Sequence, residues 1–178
     1  AQKYGDIIRD SGPLYHEFHA DAFIKEPWNA YSSLFFLVPV IFWVWKLRRQ
    51  YRENLIITLM LPLLFLNGIG STLYHAFRAA DFFMFLDGMP AMILTLMLTG
   101  YMWNKVLHSI WKSIAVMVLF YAAGIAMMAT LRPFLGDGAV NLWYLFAGTC
   151  FLLPAIFFLF RTGFYKWQLI LSSFLFLG

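Results

Sequence analysis

Apolar residues run along this chain in long stretches separated by short polar breaks. A helix needs roughly 20 apolar residues to cross a bilayer, because the hydrocarbon core is about 30 Å thick. The first stretch covers about 30–45 and stops at the basic cluster Lys46-Leu-Arg-Arg-Gln-Tyr-Arg52. The second covers 55–77 and is turned round by Arg78-Ala-Ala-Asp81. The third covers 82–103 and closes on polar residues from Asn104 to Lys112. The fourth covers 113–131. The segment Arg132-Pro-Phe-Leu-Gly-Asp-Gly138 after it reads as a loop by its Pro and Gly content. The fifth covers 142–160, and a sixth begins at Trp167 and is still apolar at Gly178. The pattern predicts an all-α fold: a multi-pass transmembrane helix bundle with five full spans and part of a sixth, behind an N-terminal segment of residues 1–29.

Charge placement gives this pattern a direction. The breaks after spans one, three and five hold Lys46, Arg48, Arg49, Arg52, Lys105, Lys112, Arg161 and Lys166. Those after spans two and four hold only Arg78 and Arg132. The positive-inside rule makes the first set cytoplasmic. The N-terminal segment is then expected on the extracytoplasmic or lumenal side, together with the ends of spans two and three that meet at Arg78.

Composition agrees and narrows the choice. Of 178 residues, 62% are hydrophobic and only 12% are charged, well outside the usual range of a soluble domain. This excludes a disordered chain and a nucleic-acid-binding module. The net charge of +4 is mainly a topology signal. The single cysteine, Cys150, rules out an internal disulfide and a cysteine zinc cluster, and its apolar surroundings make it buried filler.

Polar groups inside a span are costly and so become functional candidates. Two ionisable residues sit clearly inside the spans: His75, near the end of the second, and Asp87, near the start of the third. The short turn between these spans makes them antiparallel neighbours, so His75 and Asp87 can face each other at similar depth. Asn67, Ser71 and His75 recur every four residues and form one polar stripe on an otherwise apolar helix. Gly68 and Gly70 permit close helix contact. Read from the residues alone, the pair is either a buried hydrogen-bonded pair that fixes packing or a metal or proton-transfer site. One His and one Asp do not complete a zinc shell, which takes three or four ligands. A second cluster lies in the tail: Tyr15-His16-Glu17-Phe18-His19, then Glu26-Pro-Trp-Asn29. It reads as a solvated acidic tail with an interfacial Trp, or as oxygen ligands of the kind calcium takes.

Gly70-Ser-Thr-Leu-Tyr-His75, followed by eleven residues and then Asp87, resembles the Ser-x3-His…Asp pattern of the alkaline ceramidases. These belong to a superfamily of seven-span membrane hydrolases that includes the adiponectin-type receptors. Glu26-Pro-Trp-Asn29 is similar to the family's Glu-x-x-Asn motif. Tyr15-His16-Glu17 is similar to its Cys-Glu segment, with His16 in the Cys position. The resemblance covers about residues 15–90 and the span order after them. It implies a zinc-dependent amidase acting on a ceramide-like lipid within the bilayer. His75 would be a zinc ligand, Asp87 would orient or deprotonate the attacking water, and Ser71 would stabilise the oxyanion. It also implies calcium near the tail, with Glu17 and Glu26 as ligands and His19 where an Asn is usual. Leu14 stands where an acid is expected.

The family's other two zinc ligands lie in an His-x3-His motif of the seventh span, and no His follows His108 in this chain. Thirteen helical residues after Tyr165 would rise about 20 Å, short of the hydrocarbon core. The expectation is therefore that the sequence is a piece of a longer protein. The alternative function is a non-catalytic, receptor-like or structural bundle of the same superfamily.

Overall fold

The computed structural model describes residues 9–162. The apolar run from Trp167 and the basic residue Lys166 lie outside the described residues. All regular elements among the described residues are helical: α1 (Pro27–Leu34), α2 (Leu37–Leu47), α3 (Leu55–Phe77), α4 (Asp81–Leu107), α5 (Ile110–Leu135), a short 3₁₀ helix (Gly136–Ala139) and α6 (Val140–Thr162). Five segments are long and apolar enough to cross a bilayer, counting α1 and α2 together as the 21-residue span Pro27–Leu47. The chain is thus an all-α, multi-pass membrane protein. Its large exposed hydrophobics, such as Ile41, Val118, Leu119, Leu145 and Phe160, are what a lipid-solvated surface requires.

The break between α1 and α2 has a local cause. Pro39 has no N–H to give the Phe35 carbonyl, and its ring would press on that carbonyl in a regular helix. The Phe35 oxygen accepts from Val38 N instead, at 3.1 Å, one residue early. Ser32 and Ser33 both turn their hydroxyls back onto the Asn29 carbonyl, at 3.1 and 2.7 Å, which further bends a helix.

The chain divides into two compact units, residues 1–94 and 95–178, with the division inside α4. In the first unit α3 is the centre. Gly68 faces the α1–α2 junction, where a Cβ would stand 3.2 Å from Phe36 and Leu37 side chains. Gly70, two residues on and so on a different face, lies against α4: a Cβ there would stand 2.5 Å from Leu86 Cβ and 2.7 Å from its backbone. The missing side chains let α3 take a neighbour on each face. In the second unit α5 packs along α6, again through a glycine: a Cβ on Gly124 would stand 2.9 Å from Phe146 Cβ. The Trp103 indole donates to the Cys150 carbonyl at 2.9 Å, and Cys150 is fully buried, as its sequence context suggests.

Two boundaries differ from the sequence pattern. The segment read as a loop from Arg132 is helical through Leu135. Pro133 forfeits one hydrogen bond but has the right φ for a helix, so α5 continues until Gly136. There φ is +57°, and the Gly136 amide closes onto the Arg132 carbonyl. The polar stretch 104–112 contains only a two-residue break, His108 and Ser109, with His108 in the left-handed region at φ +52°.

Gly70→Val is expected to lower the thermal stability of the purified protein by about 1–3 kcal/mol, since backbone as well as side chain must move. Gly88→Ala, with nothing within 4 Å of the new methyl, is expected to hold or raise it. Melting curves in one detergent compare the two.

Candidate functional site

The end of α3 is built by the N-terminal segment folding back onto it. A helix leaves its last carbonyls without partners. Here Glu26 N bonds the His75 carbonyl at 3.0 Å, Lys25 N that of Ala76 at 2.9 Å, and Arg9 N that of Arg78 at 3.1 Å. Arg78 itself caps the helix in the left-handed conformation, φ +49°, with its amide on the Tyr74 carbonyl. Glycine would take that backbone without strain. Arginine occupies it because its side chain is needed below.

That side chain is fully buried and meets five oxygens. Nε and Nη2 bond the two carboxylate oxygens of Asp10 at 2.8 and 2.7 Å. Nη1 reaches Glu26 Oε1 at 2.5 Å and the Pro13 carbonyl at 2.9 Å, and Nη2 also reaches the Gly12 carbonyl at 3.1 Å. The planar fork suits this bidentate grip. Asp10's hydrogen bonds outweigh burial and hold the guanidinium charged. Burial by itself would push the Asp10 carboxyl up, but the Arg78 hydrogen bonds, the Gly12 amide and the Arg78 charge hold it below its ordinary value.

Glu26 is the residue that joins this cluster to His75. It has no exposed surface, and its Oε2 lies 2.5 Å from His75 Nδ1. Glu26 occupies the N-cap position of α1, where a side chain ordinarily caps its own helix, yet it makes no such bond. Glu17 takes over that role: its two oxygens accept from Trp28 N at 2.7 Å and Asn29 N at 2.8 Å, behind Pro27 at the first helical position. Glu26 is thereby free to turn inward.

Nδ1 of His75 faces Glu26, and the other ring nitrogen, Nε2, stands 3.8 Å from Asp87 Oδ2 on α4. The ring is wedged edge-on between Tyr15 and Tyr74, at centroid distances of 5.3 and 4.8 Å. Asn67 donates to the Asp87 backbone carbonyl at 2.5 Å, fixing α4 in register. Ser71 meets Ser33 across the α1–α3 contact at 2.8 Å. Ser33 gives its one proton to Asn29, so Ser71 is the donor of this pair. The Asp87 side chain is 29% exposed, and His75 and Ser71 are buried.

The polar stripe Asn67–Ser71–His75 is therefore buried as a unit, and His75 and Asp87 do face each other. Glu17, His19 and Glu26 are not brought together as a calcium shell: Glu17 caps α1, Glu26 lies between His75 and Arg78, and the His19 side chain is exposed. Arg78, Asp10 and Ser33 were not singled out from sequence. The available signal was one arginine in a three-residue turn at the same membrane face as an acidic tail.

The donor chemistry at His75 fits a metal ligand, because ligating histidines commonly give their second ring N–H to a carboxylate. The described residues supply one nitrogen and one carboxylate, and among them no group of three His, Cys, Asp or Glu could hold an ion. A zinc shell here would need further ligands from outside the described residues. No protein-family profile, curated protein or solved structure matches the chain.

Arg78→Gln takes the guanidinium from buried Asp10 and Glu26 and is expected to cost about 3–5 kcal/mol, read by denaturation. Asp10 supplies a pH test. Its carboxyl is depressed in the fold, so its contribution is complete above the ordinary value of 3.8 and disappears as pH falls through the lower folded value. The stability gap between wild type and Asp10→Asn should be constant near neutral pH and close only below about that value.

Proposed function

We propose that this protein is an integral-membrane, zinc-dependent amidase. It would hydrolyse a ceramide-like lipid to a sphingoid base and a free fatty acid, as the resemblance to the alkaline ceramidases implies. The observation that carries the reading is the buried Glu26–His75 pair, whose free imidazole nitrogen faces the partly exposed Asp87 across 3.8 Å. Zinc, when bound, supplies a Lewis acid and brings the pKa of a bound water to about 7. Glu26 fixes the His75 tautomer and ring, and Arg78 holds the other oxygen of Glu26 in place. Asp87 Oδ2 accepts the proton of the attacking water and passes it to the departing amine. Ser71 reaches a developing oxyanion by rotating its hydroxyl away from Ser33, a hydrogen bond it exchanges for a stronger one. The loop charges support an N-terminus and a site on the extracytoplasmic or lumenal side.

A second reading is supported by the same contacts. Each residue of the stripe already has a protein partner, as a purely structural network requires. In that case the protein is a receptor-like or structural bundle without catalysis.

Ceramide hydrolysis and elemental analysis of the purified full-length protein separate the two. The amidase reading expects about one zinc per chain. Asp87→Asn should lower kcat by about 10²–10⁴-fold with zinc retained. Glu26→Gln should weaken zinc binding by about 10–100-fold. Absence of zinc, with no hydrolysis by the wild type, would leave the structural bundle standing.

A further inference from the structure

The opposite end of the first unit carries a feature that the reaction does not use. Between α2 and α3 runs an apolar groove of about 490 Å³, walled by Val40, Ile41 and Val44 on one side and Phe65 on the other. A second hollow of about 380 Å³ shares Val40, Val44 and Phe65 and continues it to Leu61 and Pro62. Both volumes fall in the range of small-molecule sites, roughly 300–1,000 Å³. The groove ends at Tyr51 and Arg48. Tyr51 is held in place: its hydroxyl donates to the Val44 carbonyl at 3.3 Å, and its own carbonyl accepts from Thr58 at 3.0 Å.

Four cations gather at that end. Arg48 lies 5.5 Å from the Trp45 ring, and Lys46 lies 5.4 and 5.0 Å from Phe42 and Trp43. Arg49 and Arg52 are exposed beside them. Among the described residues the ion pairs all lie at the other end of α3, on Asp10, Glu26, His75, Arg78 and Asp87. Arg48 thus lines the end of the apolar channel where a span meets water, and Lys46, Arg49 and Arg52 are exposed in the same stretch of chain, against the single exposed acid Glu53. A ligand complementary to both parts has a hydrocarbon chain and an anionic head.

We propose that the groove holds one acyl chain of an anionic glycerophospholipid, whose phosphate is bound by Arg48 with support from Lys46, Arg49 and Arg52. Charge complementarity selects this occupant over a second copy of the chain. A two-fold contact about the membrane normal would bring two such cationic clusters together. The lipid wedges α2 against α3 and so braces the helix that carries His75.

The test uses detergent-purified protein incubated with equal amounts of phosphatidylglycerol and phosphatidylcholine of the same acyl chains, with bound lipid measured after gel filtration. Phosphatidylglycerol should be retained over phosphatidylcholine by roughly tenfold or more. Arg48→Gln combined with Arg49→Gln should remove most of that preference. Val44→Trp fills the groove and should lower retention of both lipids, and soluble glycerol phosphate should not displace the bound lipid. Equal retention of the two lipids by the wild type overturns the proposal, and this arm needs no variant to fold. It is overturned equally by displacement with glycerol phosphate, by a helical, monodisperse Val44→Trp that binds as wild type, or by a dimer that Val44→Trp dissociates without loss of lipid.

Discussion

A carboxylate with no exposed surface needs a partner for each of its oxygens, and Glu26 is held from two sides. Arg78 takes one oxygen and His75 the other. Removing such a group from water is expensive unless its partners and remaining hydrogen bonds are in place. Arg78 therefore brings its own second carboxylate, Asp10, and two backbone carbonyls. The cluster contains two carboxylates and one guanidinium, a formal sum of −1 behind the imidazole. That excess negative charge strengthens His75 as a donor to any cation on its Nε2 side.

The division of labour between two glutamates follows from the same constraint. Had Glu26 capped α1, it would have faced the first-turn amides of α1, and His75 would have lost its partner. Glu17, nine residues earlier, does the capping instead, and the chain between them folds over the end of α3. Tail amides then close the carbonyls of α3 that a membrane helix cannot leave open near lipid. Local capping, long-range hydrogen bonding and the ion cluster all point to one placement of residues 9–26.

How much of this was legible in the sequence depends on the distance over which each choice is made. The spans were legible because lipid imposes length and apolarity on every crossing segment. The α1–α2 break is written in Pro39 and the two serines, a local signal that hydropathy alone passes over. The end of α5 is not legible from Pro and Gly content, because Pro133 has the φ of a helix and Gly136 is the residue that stops it. His75 and Asp87 stood out because charge inside a span is costly. Arg78 did not, because an arginine in a turn reads as solvated, and its burial is decided by a segment 68 residues away. The roles of Glu17 and Glu26 were likewise hidden, since composition cannot say which acid turns inward.

The pairing of Arg78 with Asp10 also constrains topology. The N-terminal segment and the turn after α3 meet only if both emerge on the same face of the bilayer. A chain inserted with its tail on the wrong side would strand Arg78 without Asp10 and Glu26, leave the last carbonyls of α3 open, and hold His75 without its carboxylate. The latch thus ties completion of the site to correct topology, and a misoriented molecule would announce itself by an unfinished helix end.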